Sequence, residues 1–177
     1  QFLAPTPSML IAQFRPDMND GNLARGFRIA RGSSMRSLLG KGDATACEFR
    51  TAHEVRLLPL EVASASYFSY APDLPLPQLP GGSRIRGGLR IRLRAGAGLK
   101  IADLDLASLP IYLGGGDETA MKRYELALGA CAGVLVLPPE RPAPWYQFVP
   151  PAQVRALGFD DQEALLPVTL RGFQGYR

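Results

Sequence analysis

Glycine and proline are the residues that most restrict how this chain can fold. It contains 19 Gly and 16 Pro among 177 residues, about a fifth of the total. Proline lacks a backbone donor and glycine loosens the backbone, so both interrupt long helices and long central strands. A chain cut into short pieces favours strands joined by turns. We therefore predict a mainly β (α+β) fold, with antiparallel sandwich-like sheets, one or two short helices and Pro-rich loops.

Short apolar segments between these breaks predict the individual strands. These segments lie at 8–14, 27–31, 34–39, 47–51, 54–58 and 84–94, with a short buried strand at 133–137 and further strand-like sequence at 104–113 and 154–157.

One helix is expected after a triple glycine, with Asp117 as its N-cap and Gly129 as its stop. Within it, Met121, Tyr124 and Leu128 recur at helical spacing. This spacing predicts one apolar stripe that packs on a sheet.

The segment 71–82 contains four prolines and no periodicity, which predicts an extended surface loop. The overall composition, 46% hydrophobic and 20% charged, is that of a folded protein. A chain of this length can bury roughly 70% of its unfolded surface. We expect one β-rich domain over 1–177, and any sub-lobe boundary in the loop 71–83.

Neither the apolar runs nor the cysteines indicate a membrane or secreted protein. No run approaches the roughly 20 apolar residues that cross a bilayer, so direct membrane insertion is not expected. Cys47 and Cys131 lie far apart without metal-type spacing, which favours a reducing cytosol. Both are expected to be reduced and buried.

The segment 84–94 is the most functional-looking part of the sequence. Strict alternation predicts Ile85, Leu89, Ile91 and Leu93 on one strand face, with five arginines on the other: Arg84, Arg86, Arg90, Arg92 and Arg94. Such a face can be a solvated, aggregation-resistant strand partly matched by carboxylates, or a docking surface for another protein. Nucleic acid is not expected as a partner, because no aromatic residues interleave with these arginines as a stacking platform.

Residues able to carry catalysis or bind metal are sparse. His53 is the only histidine, and only a hairpin could bring it to Cys47, so we expect a turn or edge histidine rather than a hydrolase pair. Asp160 and Glu163 have capping-box spacing at a helical turn over 160–166, which favours capping over cation binding. The sequence therefore predicts no enzyme, no cofactor and no metal site.

Aromatic residues in the second half offer a further candidate surface. Trp145 and Tyr146 lie among prolines and can either anchor a partner or cap a core, and Phe173 and Tyr176 leave the same two alternatives. A shallow groove lined by Trp145, Tyr146 and Tyr67 would indicate the alternative function, a standalone β-sandwich module that binds carbohydrate or another ligand.

Five segments carry a family resemblance, in the same order and across nearly the whole chain. They lie at 3–9 (LAPTPSM), 45–55 (TACEFRTAHEV), 140–145 (ERPAPW), 158–167 (GFDDQEALLP) and 173–177 (FQGYR). Together they resemble the TssF subunit (VasA or ImpG family) of the bacterial type VI secretion baseplate. The resemblance implies an internal fragment, the β-rich middle domain of a longer baseplate protein.

The same resemblance implies a function and a set of partners. It implies a structural subunit of the cytoplasmic baseplate wedge, which supports assembly of the contractile sheath and tube at the cytoplasmic face of the inner membrane. The implied partners are TssG, a second TssF copy, TssK, TssE and the VgrG hub region. The partner-contact candidates are the five arginines of 84–94 and the four aromatics Trp145, Tyr146, Phe173 and Tyr176.

Overall fold

Pairs of strands, rather than one continuous sheet, form the β-structure. A computed structural model describes residues 7–166, within which eight strands pair two by two. They are β1 (Phe27–Ile29), β2 (Ser34–Arg36), β3 (Glu48–Arg50), β4 (Val55–Leu57), β5 (Leu60–Phe68), β6 (Gly88–Ala95), β7 (Val134–Val136) and β8 (Gln147–Val149). The pairs are β1 with β4, β2 with β3, β5 with β6 and β7 with β8. The predicted mainly β (α+β) class with antiparallel sheets is confirmed, and the sheets are two-stranded pairs.

Helical structure is limited within the described residues. The one α-helix is α1 (Asp117–Gly129), and short 3-10 helices lie at Gly21–Arg25, Leu76–Gln78, Gly82–Arg84, Ile101–Asp103, Pro151–Gln153 and Asp161–Glu163. The predicted end of α1 at Gly129 is confirmed, whereas Gly116 rather than Asp117 is its N-cap. Tyr124 and Leu128 are half-buried, but Met121 is exposed, so the predicted stripe is only partly covered.

The side chain of Thr51 joins the first two strand pairs. Its hydroxyl donates to the carbonyl of Ala30 at 2.8 Å and accepts from the amide of Ser33 at 3.0 Å. Its backbone carbonyl also accepts from the amide of Gly32. Thr51 is only 8% exposed, so these bonds satisfy a buried polar group that would otherwise be costly. The turn between β1 and β2 is thereby held against the end of β3.

The chain divides into two compact units. The first contains Gln1–Glu61, Arg94–Ala107 and Leu157–Arg177, and the second contains Val62–Leu93 and Ser108–Ala156. Buried hydrophobic residues are few in both: Leu23, Leu104 and Ala164 in the first unit, Ala71 and Leu79 in the second. The loop 71–83 lies within the second unit, and both the single domain over 1–177 and a boundary in that loop stay predictions.

Three of the predicted strands are wrong. The segments 8–14, 104–113 and 154–157 form no strand, because no described segment pairs with any of them. A strand needs a neighbour for its backbone groups, and alternation alone does not supply one. In 8–14, Leu10 and Ile11 consequently remain exposed.

The expectation for the cysteines is also wrong in part. Both thiols are free, but Cys47 is exposed and Cys131 only half-buried. Cys47 directly precedes β3. The two end residues of β3 are also exposed, so the side chains in this part of the strand are not covered.

A candidate interaction surface on the second unit

The strand β6 is shorter than the arginine pattern predicts. It begins at Gly88, so Arg90, Arg92 and Arg94 lie on it, whereas Arg84 ends a 3-10 helix and Arg86 lies in the connection. The prediction of five arginines on one strand face is therefore wrong for two of them.

Close packing against Phe68 explains where β6 begins. A Cβ on Gly88 would stand 2.7 Å from the Phe68 ring, and a Cβ on Gly87 would stand 2.6 Å from the Phe68 carbonyl oxygen. Only glycine allows the backbone to approach so closely. Before this point the chain turns at Gly81, whose left-handed φ of 69° opens the 3-10 helix Gly82–Arg84.

The positive charge of Arg90 is matched by a carboxylate within the second unit. Its Nη2 donates to both carboxylate oxygens of Asp73 at 2.9 Å, and its guanidinium lies 5.6 Å from the centroid of the Phe68 ring. The hydrogen bond from Arg90 is the main reason that the pKa of Asp73 lies below its ordinary value of 3.8, and a second bond from Arg141 acts in the same direction. Arg90 therefore holds the loop 71–83 to β6.

Arg141 holds the same loop from the other side. Its Nε donates to Asp73 at 3.3 Å, while its Nη1 donates to the carbonyls of Pro138 and Glu140 at 2.8 Å. Further along, the hydroxyl of Tyr146 lies 3.4 Å from Oε1 of Gln78. The loop 71–83 and the segment 138–146 thus meet at two points.

Arg92 differs from its two neighbours on β6. Arg94 forms an ion pair with Glu61, and Arg90 pairs with Asp73. Arg92 is exposed and has no ion-pair or hydrogen-bond partner within residues 7–166. Arg84 and Arg86 are likewise exposed and unpaired within that part of the chain. Three guanidinium groups therefore remain available for contacts beyond the described residues.

Replacing Asp73 by asparagine should lower the free energy of unfolding of the second unit by about 1 kcal/mol. The amide keeps the shape but cannot balance the charges of Arg90 and Arg141, and the carboxylate is partly screened because its side chain is 33% exposed. Urea unfolding followed by the fluorescence of Trp145, the only tryptophan, reports on this unit. Glu118→Gln, in the exposed pair with Lys122, is the matched control and should change stability by less than about 0.5 kcal/mol.

The effect of Asp73→Asn should also depend on pH. The pKa of Asp73 is lower in the folded state, so its carboxylate stabilises the fold above the ordinary value of 3.8. That contribution is lost as the pH falls through the folded-state pKa. The two proteins should thus differ fully at pH 7 and converge below pH 3.8. An unchanged difference at low pH would show that lost packing, rather than lost charge, is the cause.

The aromatic candidates are solvent-accessible where the structure describes them. Trp145 is 53% exposed and Tyr146 41% exposed, so neither closes a hydrophobic core. A shallow groove of the second unit is lined by Phe68, Tyr70, Pro72, Leu76 and Ile85 among others, but by none of Trp145, Tyr146 and Tyr67. Phe173 and Tyr176 lie outside the described residues.

The residues with catalytic potential make structural contacts. Nε2 of His53 donates to the carbonyl of Glu163, which fixes a proton on that nitrogen. The predicted role of Glu163 as a capping residue is confirmed, since its carboxylate accepts from the amides of Gly158 and Asp160. The bond from Gly158 is the main cause of the lowered pKa of Glu163. No group of three His, Cys, Asp or Glu residues within 7–166 is arranged to hold a metal ion.

Among the described residues, no helix has the length and apolar character needed to span a bilayer.

Comparison with known proteins identifies what the chain is similar to. A family model described as "Type VI secretion system, TssF" matches residues 1–177. The chain is 51% identical over 177 residues to the "Type VI secretion system component TssF1" of Pseudomonas aeruginosa strain PAO1. This match covers 99% of the chain and 28% of that relative, so the chain spans little more than a quarter of the relative's length. No solved structure matches the chain significantly.

Proposed function

Because the chain belongs to the TssF family of type VI secretion system components, we propose that it serves as a structural part of the baseplate wedge. Its role in this proposal is to supply surfaces for protein–protein contacts that support assembly of the contractile sheath and tube. In this proposal the chain catalyses no reaction. The observation that carries the proposal is how much apolar surface the folded chain leaves uncovered.

The described residues bury few large side chains and expose many. Five hydrophobic residues are buried. By contrast, the following are more than half exposed: Leu10, Ile11, Phe27, Leu38, Leu39, Val62, Tyr67, Tyr70, Leu89, Ile111, Tyr112, Met121, Leu126, Trp145, Leu157 and Phe159. Single exposed apolar residues are ordinary, but an excess of this size marks surfaces that further protein covers, either the rest of a longer chain or a partner.

The total exposed area leads to the same conclusion. The chain exposes 14123 Å², whereas a compact monomer of its mass should expose about 8,400 Å² and two separate compact halves about 10,100 Å² together. Residues 1–6 and 167–177 account for at most about 2,700 Å² of the difference, even at the area of unfolded chain. More than 1,000 Å² of excess surface remains, which is the scale of a specific protein interface.

The partners in this proposal are those that the family resemblance implies: TssG, a second TssF copy, TssK, TssE and the VgrG hub region, at the cytoplasmic face of the inner membrane. The described contact candidates are the exposed arginines Arg84, Arg86 and Arg92, with Trp145 and Tyr146. The charge on Arg90 and Arg94 is already matched by Asp73 and Glu61.

Co-purification tests the proposal. The full-length protein, co-expressed with TssG, TssK, TssE and the VgrG hub protein, is expected to form a stable complex that contains TssG and survives size-exclusion chromatography. Charge reversal at the three unpaired arginines, R84E/R86E/R92E, should reduce recovery of TssG by about tenfold or more, since unpaired charges facing a partner oppose binding. The matched control R25E/K41E/R155E makes the same charge change at other exposed positions, and should leave recovery unchanged.

Two results would contradict different parts of this proposal. If the wild-type protein forms no complex with any of the five implied partners, the assembly function is wrong. If the complex forms equally well with R84E/R86E/R92E, the function stands and the arginines have no part in it.

A further inference from the structure

The ribbon formed by β5 and β6 is an incomplete sheet. Its strands are the longest in the described chain, and each pairs only with the other. The start of β6 lies against Phe68 at the end of β5, and the amide of Gly96 donates to the carbonyl of Pro59, so the strands are antiparallel. Within residues 7–166, no backbone hydrogen bond from another segment reaches the outer edge of either strand. Two strands alone are marginal in water.

The backbone of β6 presents donors and acceptors along this outer edge. In an antiparallel strand, successive residues direct their backbone groups to opposite sides. Gly96 donates inward to Pro59, so the groups of Leu93 and Ile91 point outward. The edge carries no proline, so none of its outward backbone donors is missing. It is therefore competent to pair with another strand.

Both faces of the ribbon in the second unit also carry exposed side chains. The residues of β5 from Val62 to Tyr67 are all exposed, as are Leu89 and Ile91 on one face of β6 and Arg92 on the other. An added strand would cover apolar side chains on one face and bring a charged position next to Arg92 on the other.

The positive charge of Arg92 determines which kind of strand can pair with the outer edge of β6. Arg90 and Arg94 have carboxylate partners, so Arg92 is the arginine on this strand that lacks one within the described chain. Antiparallel pairing of β6 with β6 of a second copy would place arginine opposite arginine and is disfavoured. Nucleic acid would leave the outward amides and carbonyls of the edge unused. A peptide strand with a carboxylate opposite Arg92 satisfies all of these groups.

We propose that the outer edge of β6 accepts an extended acidic strand from a different protein of the secretion assembly. The strand would contribute Asp or Glu beside Arg92 and apolar residues at the alternate positions, beside Leu89 and Ile91. This inference rests on the proposed assembly function and names the contact through which one partner docks.

Hydrogen exchange tests the proposal on the full-length protein, alone and in the complex purified after co-expression with the five implied partners. Exchange of the amides in 88–95 should slow by about tenfold or more in the complex, because an added strand protects the outward amides. Arg92→Glu should remove this protection and lower recovery of the bound partner by about tenfold, whereas Arg92→Lys should keep both. Ile91→Pro, which removes an outward donor without removing a bond to β5, should also abolish protection.

The outcomes separate this proposal from the assembly function. A complex that forms while exchange in 88–95 stays the same overturns the edge proposal and leaves the function intact. If the protection of 88–95 persists unchanged in Arg92→Glu, the partner strand does not place an acidic residue beside Arg92, and that part of the proposal is wrong. Protection of 88–95 in the isolated protein that rises with its concentration would identify a second copy as the occupant, against the proposal. If the wild-type protein forms no complex, the assembly function itself fails.

Discussion

Replacing Gly82 by alanine is expected to lower the free energy of unfolding of the second unit by about 3 kcal/mol. Gly82 is buried, and a Cβ at this position would overlap the carbonyl oxygen of Leu76 and stand 2.7 Å from its carbonyl carbon. Backbone atoms cannot move aside as a flexible side chain can. The 3-10 helices Leu76–Gln78 and Gly82–Arg84 would have to separate. Urea unfolding followed by the fluorescence of Trp145 measures the loss.

The controls for Gly82→Ala isolate this overlap from the general cost of changing a glycine. Gly129→Ala lies at the end of α1 with no atom within 4 Å of the added Cβ, and should be neutral or slightly stabilising. Gly81→Ala has a left-handed φ of 69°, and its added Cβ would meet the flexible side chain of Arg84 at 3.2 Å, so it should cost about 1 kcal/mol, mainly through backbone strain. Equal stability of Gly82→Ala and Gly129→Ala would show that the two 3-10 helices are not packed as described.

Local chemistry in the sequence was sufficient to predict several features. Helix α1 follows from its acidic first turn and its closing glycine. The capping function of Glu163 follows from its spacing to Asp160, whose amide donates to the Glu163 carboxylate. In each case the interacting groups lie within a few residues of each other, so the local sequence pattern is enough to predict the contact.

Strands were predicted less well, because a strand forms only where a partner strand, often distant in the sequence, lies beside it. The nine-residue β5 was missed, since its alternating Ala and Ser between Glu61 and Tyr67 have weak strand propensity. It forms because β6 lies beside it. The strand β8 was missed because prolines flank it. Conversely, 8–14 has good strand sequence and no neighbour.

The candidate surface could be predicted only in outline for the same reason. Alternation identified the arginines of β6, but nothing local indicates that Arg90 pairs with Asp73 or that Arg141 lies 68 positions from that carboxylate. Those pairings decide which arginine is left unpaired. The sequence therefore predicted a charged strand, while the structure identifies Arg92 as the arginine on β6 that lacks a carboxylate partner within residues 7–166.

Arg31 makes the contacts with the longest sequence separation in the first unit, and its loss should have the second-largest effect. Its Nη1 and Nη2 donate to the carbonyls of Gln162 and Ala164 at 2.8 and 3.0 Å, and His53 donates to the carbonyl between them. Arg31→Ala leaves the carbonyl of the buried Ala164 without its donor. The expected loss is about 2 kcal/mol, which corresponds to about 30-fold faster hydrogen exchange of the amides in 157–166.

Two variants separate this anchoring role from the general loss of a positive charge. Arg31→Lys keeps the charge but cannot reach two carbonyls with a planar fork, so exchange in 157–166 should increase by an intermediate factor. Arg28→Ala removes a nearby arginine that is 72% exposed and lies 3.8 Å from Glu54, and should leave exchange in 157–166 unchanged. If Arg31→Ala and Arg28→Ala behave alike, the segment is held by His53 and by packing around Ala164. The guanidinium of Arg31 would then add no measurable stability.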